Sequence, residues 1–188
     1  MKLIIKNMVC PRCISSVEQI LKDNNLPAHY IRLGEVELIK DPGKKKLERF
    51  SADLNKNGFE LLDDQKMQLI EKIKNLLITQ VQQGKVEDHF SVSKYLGKKI
   101  FKDYSALSKL FSGVEGITIE QFFILQKLEK VKEWLMYNEL SLSQIAFNLG
   151  YSSTQHLSNQ FKKITGMTPT QFKQMGATHR KTIDAIHK

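Results

Sequence analysis

The chain has 188 residues, 41% apolar and 26% charged, with 29 lysines and arginines against 20 aspartates and glutamates, a net charge of +9. That length holds one domain or two small ones, and the composition is that of an ordinary globular protein, not a collagenous or disordered one. No apolar run approaches the roughly 18 residues of a membrane span, the apolar run before Lys6 is too short for an export signal, and two cysteines cannot staple a secreted scaffold. A cytoplasmic protein with no membrane partner is therefore expected.

Leu3, Ile4 and Ile5 read as a short buried strand. Residues 7–11 form a loop, and residues 14–22 read as a helix with Ile14, Val17, Ile20 and Leu21 on one face. Asn24, Asn25 and Pro27 end it. Residues 30–39 hold two alternating runs, Ile31/Leu33 and Val36/Leu38, whose phases differ across Gly34; this predicts a tight hairpin or a bulge there. Asp41-Pro42-Gly43 is a turn. Residues 46–56 read as a second helix, with Leu47, Phe50 and Leu54 on one face and Asn57-Gly58 as its stop. Residues 59–62 make a last strand. The order β-α-β-β-α-β describes a small α+β unit over residues 1–64.

From Gln65 onward the pattern is helical. Met67, Ile70, Ile73, Leu77 and Val81 recur at helical spacing, Asp63-Asp64 supplies an N-cap region, and Gln83-Gly84 closes the helix. No Gly/Ser/Pro linker precedes it, so a stiff connection to an all-α domain over residues 65–188 is expected. A long helix over residues 118–137 is apolar at Ile119, Phe122, Phe123, Leu128, Val131 and Leu135. Residues 1–64 carry a net charge of +1 and residues 65–188 a net of +8. A localised positive excess favours a polyanionic partner through counterion release, although solubility alone also accounts for it.

The helical part contains a repeat. Residues 107–122 (LSKLFSGVEGITIEQF) and 157–172 (LSNQFKKITGMTPTQF) share Leu, Ser, Phe, Gly, Thr, Gln and Phe at a fixed offset of 50. Two copies of one supersecondary unit, joined by the long helix, are expected. In the second copy, Leu142, Ile145, Ala146 and Leu149 share a helix face, Gly150 is placed for a tight turn, and Ser152-Ser153 precede the next helix. There Leu157, Phe161 and Ile164 are expected inward, and Thr154, Gln155, Ser158, Asn159 and Lys162 outward. This is the pattern of a helix-turn-helix, competing with a helical hairpin that simply exposes a polar face.

The run from 140 to 172 resembles the C-terminal domain of AraC/XylS-type transcription regulators. It carries Ile145-Ala146, Gly150-Tyr151, Ser153, Phe161-Lys162, Gly166, Thr168-Pro169 and Phe172 at the family's spacing. The resemblance extends over about residues 66–176 and implies two helix-turn-helix units, near 91–113 and 141–165. The first departs from the pattern: Ile100 stands at the turn glycine, Leu96 at the alanine, and Lys127 where the family has arginine in the linker helix. The resemblance implies double-stranded DNA as partner, with Ser105, Ala106, Ser108 and Lys109 facing it in the first unit. In the second it implies Thr154, Gln155, His156, Ser158 and Asn159, of which His156 could equally be structural. Gln155 or Asn159 could pair bidentately with adenine, and Lys109, Lys162 and Lys163 would neutralise phosphate. Two recognition helices on one domain would enter successive major grooves about 34 Å apart. RNA polymerase and a second copy of the chain are further candidate partners. Residues 1–64 are too few for the sugar-binding cupin domain of that family, so an arabinose-like effector is not expected.

Cys10-Pro11-Arg12-Cys13 lies between the first strand and the first helix. Helix N–H groups and Arg12 are expected to lower the thiol pKa values. Two thiolates at this spacing can chelate one soft cation, Cu(I) or Zn(II). The run Met8-Val9-Cys10-Pro11-Arg12-Cys13 on a ferredoxin-like frame is similar to heavy-metal-associated, copper-chaperone-like domains, with Asn7 for their glycine and Val9 for their threonine. A redox pair and two merely structural thiols are the rival readings. The expectation is a transcription regulator that responds to a soft metal. The alternative is a metallochaperone or thiol–disulfide protein with a helical partner-binding domain. No catalysis is expected: His29, His89, His156, His179 and His187 lack metalloprotease spacing, and no nucleophile elbow or phosphate loop is present. His179 and His187 fall in a tail expected to be loosely ordered.

Overall fold

The computed structural model describes residues 1–138 and 140–175; His179 and His187 lie outside them. The chain divides into two compact units, residues 1–76 and 77–188.

In the first unit the elements are β1 (Lys2–Lys6), α1 (Pro11–Asp23), β2 (Ala28–Arg32), β3 (Glu35–Leu38), α2 (Lys44–Lys56) and β4 (Glu60–Leu62). The sheet is antiparallel throughout, in the order β2-β3-β1-β4. Strand alternation buries Leu3 and Ile5 of β1 and Val36 and Leu38 of β3 on one face. Val17, Ile20 and Leu21 of α1 and Phe50 and Leu54 of α2 join them in one core, with Met8 fully buried among them. Helix α1 begins earlier than its apolar pattern suggests, because Pro11 occupies the first turn, where a missing N–H costs nothing. Gly34 makes the β2–β3 turn at φ +72°, and the register irregularity falls at residues 28–30 instead. Of the two alternatives for Gly34, the tight turn is the one found there.

Helix α3 (Gln65–Gln82) starts where Asp64 Oδ1 accepts the N–H groups of Lys66 (2.8 Å) and Met67 (2.9 Å). The contact boundary falls inside α3, after residue 76, and not at residue 64 as the composition shift suggested. The first turns of α3 belong to the sheet unit: the Asn75 amide occupies the space a Cβ on Gly34 would take, and Gln68 Nε2 donates to the Leu62 carbonyl of β4.

The second unit contains α4 (Val92–Ile100), α5 (Tyr104–Glu115), α6 (Ile119–Tyr137), α7 (Leu142–Asn148), α8 (Thr154–Thr165) and α9 (Pro169–Met175). The 50-residue repeat is a repeat of structure. Leu107 and Leu157 are fully buried, as are Phe111 and Phe161. Gly116 and Gly166 end α5 and α8 in the left-handed region, at φ +72° and +81°. Thr118 and Thr168 then cap α6 and α9 through the N–H groups of Gln121 and Gln171. Phe111 meets Phe122 edge-on at 5.7 Å, and Phe161 meets Phe172 at 5.6 Å. Apart from Ser108 and Ser158, which are half-buried, the identical residues are therefore the core, the stop and the cap of each unit. Ile164 departs from expectation: it is 42% exposed in the last turn of α8, where Thr165 bonds back to the Phe161 carbonyl.

Candidate nucleic-acid interface

Helix α7 starts on a reciprocal capping box between Ser141 and Gln144, and α8 starts on Ser153, whose Oγ accepts the His156 N–H at 3.0 Å. On α8, Gln155, His156, Asn159, Lys162 and Lys163 are exposed, and Thr154 and Ser158 are half-buried. The structure thus brings all seven together on the outer side of α8. Gln155 Nε2 donates to Asn159 Oδ1 at 2.8 Å, one helical turn apart. The pair keeps one amide oxygen, on Gln155, and one NH2 group, on Asn159, for an outside partner. His156 Nδ1 lies 3.1 Å from Ser152 Oγ, and its ring meets Tyr151 edge-on at 5.4 Å. It is thus held against the turn while remaining exposed.

The turn between α7 and α8 is fixed from two sides. The Val86 N–H donates to the Asn148 carbonyl at 2.8 Å, laying residues 86–87 across the end of α7. Gly150 sits at φ +64°, and a Cβ there would lie 2.5 Å from the Glu87 carbonyl oxygen. Any larger residue therefore meets both backbone strain and a backbone atom. From the other side, Lys127 of α6 donates to the Leu149 carbonyl at 3.1 Å, with its ammonium 3.8 Å from the Tyr151 ring centroid. Burial pulls the Lys127 ammonium down to about 8 and pushes the Tyr151 phenol up, while Tyr151 donates to Gln160 Oε1 of α8 at 2.7 Å. The sequence marked Lys127 only as a lysine in an arginine's place. The strap at residues 86–87 carries no local signal in the sequence.

The α4–α5 pair is built differently. Asp103 caps α5, accepting the Ala106 N–H at 3.1 Å and the Ser105 hydroxyl at 2.6 Å; these bonds hold its carboxyl below the usual carboxylate range. Ser105, Ala106 and Lys109 are exposed, and Ser108 is half-buried. Ile100, expected at the turn, is instead the buried last residue of α4, and the left-handed residue is Phe101, at φ +58° and 88% exposed.

With this geometry in place, known proteins give the comparison. Residues 96–175 match the family model of a helix-turn-helix domain. The match covers a little under half the chain and runs from α4 into α9. Among curated relatives, the protein named Probable transcriptional regulator LumQ, of Photobacterium leiognathi, is 29% identical over 119 residues, 63% of this chain and 46% of LumQ. The xylose operon regulatory protein of Escherichia coli K12 is 27% identical over 136 residues, 72% of this chain and 31% of that protein. The chain thus spans less than half the length of these relatives. In fold it is similar to the C-terminal domain of AraT, a response regulator from Geobacillus stearothermophilus, with a TM-score of 0.51 at 19% identity, covering 61% of this chain and 91% of that one. The helical unit is accordingly similar to the AraC-type DNA-binding domain, as its motif residues imply. No helix among the described residues is long and apolar enough to cross a membrane.

In the first unit, Cys10 occupies the N-cap position of α1 without a side-chain capping bond, and its Sγ lies 3.4 Å from Cys13 Sγ; Cys13 Sγ also approaches the Asn7 carbonyl at 3.8 Å. Contrary to the expected lowering, burial pushes the Cys13 thiol up, outweighing the backbone contacts that pull it down. Among the described residues, no group of three or more His, Cys, Asp or Glu side chains is placed to hold a metal.

Two outcomes follow. Gly150→Ala should cost about 2–3 kcal/mol and lower the melting temperature of the helical unit by roughly 10 °C, read by differential scanning calorimetry. Lys127 binds its proton more weakly folded, at about 8, than unfolded, near 10.5. Between those values the unfolded chain holds more protons, so stability rises with pH there and the cost of the buried charge is constant below it. Urea unfolding should show the wild type gaining about 1–2 kcal/mol between pH 7.5 and 9.5 relative to Lys127→Met; parallel curves for the two proteins would contradict this.

Proposed function

We propose that this chain is a DNA-binding transcription regulator, a binding protein and not a catalyst. We read α4–α5 and α7–α8 as two helix-turn-helix units that approach one face of a duplex. The observation that carries the reading is α8: an exposed helix on a turn fixed by Lys127 and Gly150, with paired amides at Gln155 and Asn159 and lysines at 162 and 163. The free amide oxygen of Gln155 and the free NH2 of Asn159 match the N6 donor and N7 acceptor of adenine in the major groove. Lys162 and Lys163, in the last turn of α8, suit phosphate oxygens. The helix-turn-helix match over residues 96–175 and the regulator relatives support the same conclusion.

The test is selection of duplexes from a random library with the full, reduced chain. Enrichment of a sequence motif read by α8 is expected, and a second element about one helical turn away would mark α5 as a reader as well. Gln155→Ala or Asn159→Ala should flatten one position of that motif, at a cost of about 1–3 kcal/mol for the preferred base. No enrichment would remove the regulator reading in favour of a metallochaperone or thiol–disulfide protein.

The sheet unit is read here as ferredoxin-like, on the support of its β-α-β-β-α-β order and the strand order β2-β3-β1-β4. Its cysteine pair favours a second element of the proposal, a soft-cation site at Cys10 and Cys13. Two thiols on one loop supply the soft sulfur donors that a two-coordinate ion such as Cu(I) takes, whereas a closed zinc site would need donors that the described residues do not assemble. Because burial raises the Cys13 thiol, binding must expel its proton, and affinity should climb as pH rises through that titration. Competition with a chromophoric Cu(I) chelator should give one ion per chain, tighter at pH 8 than at pH 6.5, and none in the Cys10→Ser/Cys13→Ser variant. Equal uptake by that variant would remove the site.

A further inference from the structure

Phe101 is anomalous on two counts. Its backbone is left-handed, at φ +58° and ψ 39°, and its ring is 88% exposed. A bulky residue in this region is strained, and an apolar ring in water gains nothing from folding. At the 50-residue offset Phe101 corresponds to Tyr151, which is 5% exposed and lies under Lys127. The second turn spends a glycine on the left-handed position and turns the next ring inward. The first turn gives that position to the aromatic residue and leaves the ring outside.

Lys98, Lys99 and Lys102 flank it in sequence and are exposed, as are Lys94 in the first turn of α4 and Lys109 in α5. None of these lysines forms an ion pair among the described residues. The one carboxylate in this stretch, Asp103, is committed to the cap of α5. The dipole of α4 accounts for lysines at 98 and 99, in its last turn. It does not account for Lys102 beyond the helix, for Lys94 in the first turn, or for the bare ring among them. On α5 the Ser105 hydroxyl is bound to Asp103 and Ala106 has only a methyl, so fewer groups face a duplex there, Ser108 and Lys109, than on α8.

We infer that Phe101 with Lys98, Lys99 and Lys102 is a sequence-independent backbone anchor, in which the lysines neutralise duplex phosphates and the ring packs on the adjoining sugar edge. The inference rests on the DNA-binding reading above and assigns the two helix pairs different tasks: α4–α5 holds the duplex, and α8 selects the sequence. Charge complementarity and continuity with α5 favour a duplex as the occupant. Backbone strain retained at an exposed aromatic residue is consistent with a binding role.

The test uses the full chain, a duplex carrying the selected motif, and a scrambled duplex of equal length, with affinity measured by fluorescence anisotropy across a salt series. Lys98→Gln/Lys99→Gln/Lys102→Gln should weaken binding to both duplexes by the same factor and reduce the slope of log affinity against log salt by about 2–3. The same charge change at Lys44, Lys45 and Lys46 of α2 should leave the slope unaltered. Phe101→Gly should melt no lower than wild type, because glycine accepts the left-handed backbone, yet bind both duplexes several-fold more weakly. An unchanged slope in the lysine variant, a loss confined to the motif duplex, or wild-type affinity in Phe101→Gly would overturn the anchor while leaving the regulator reading standing. Loss of binding to anionic vesicles with duplex affinity intact would assign the patch to a membrane surface instead. A wild type that binds neither duplex would remove both proposals.

Discussion

The half-buried ammonium of Lys127 organises the helical unit. It leaves α6, donates to the Leu149 carbonyl at the end of α7, and lies against the ring of Tyr151 at the start of the turn into α8. A helix end has carbonyls with no partner inside the helix, and one buried there needs a donor. Lys127 supplies it, at the cost of desolvating a charge that burial pulls down to about 8. A flexible lysine gives that carbonyl one donor where an arginine would offer a fork of several, so the geometry depends more heavily on the ring beneath it. Gly150 completes the arrangement from the opposite side, because the strap at residues 86–87 passes where a side chain would be. The direction of α8, and with it of Gln155 and Asn159, follows from these two contacts.

Duplication did not make two equal units. What the repeats share is mostly internal: a leucine and a phenylalanine facing the core, a glycine that stops the helix, a threonine that starts the next, and a second phenylalanine closing an edge-on ring pair. What they do not share is external. The second unit presents amides, a histidine and two lysines on α8, and its turn ring is buried. The first presents small residues on α5, lysines around α4, and an exposed turn ring. The core tolerates only particular shapes, so its residues persist in both copies, while the solvent-facing positions are free to diverge.

Much of the fold was legible because it depends on local periodicity and on residues with restricted backbones. Alternation placed Leu3, Ile5, Val36 and Leu38 on one sheet face, helical spacing placed Phe50, Leu54, Phe122 and Val131 inside, and Asp64 announced the start of α3. Legibility failed at element ends. Ile164 follows the apolar rhythm of α8 yet is exposed in its last turn, because periodicity along one helix does not say where its neighbours provide cover. The unit boundary moved to residue 76 for a related reason: composition changes at residue 64, but the first turns of α3 still pack on the sheet unit.

The outward set on α8 and the closely spaced cysteine pair were also written in the sequence, since both follow from spacing along a single turn or loop. Only the tertiary structure decided how these groups are held. It paired Gln155 with Asn159 and set His156 against Tyr151 and Ser152. It moved the left-handed position of the first turn from residue 100 to Phe101, and it buried Cys13 enough to raise a thiol that the helix terminus alone would lower. These outcomes have a common physical cause. Periodicity and capping are properties of neighbours along the chain, whereas burial, the partner of a buried charge and the choice of strained residue depend on what distant segments bring alongside. Val86 and Glu87 reach Gly150 across more than sixty residues of sequence, and no local pattern at either place announces the other.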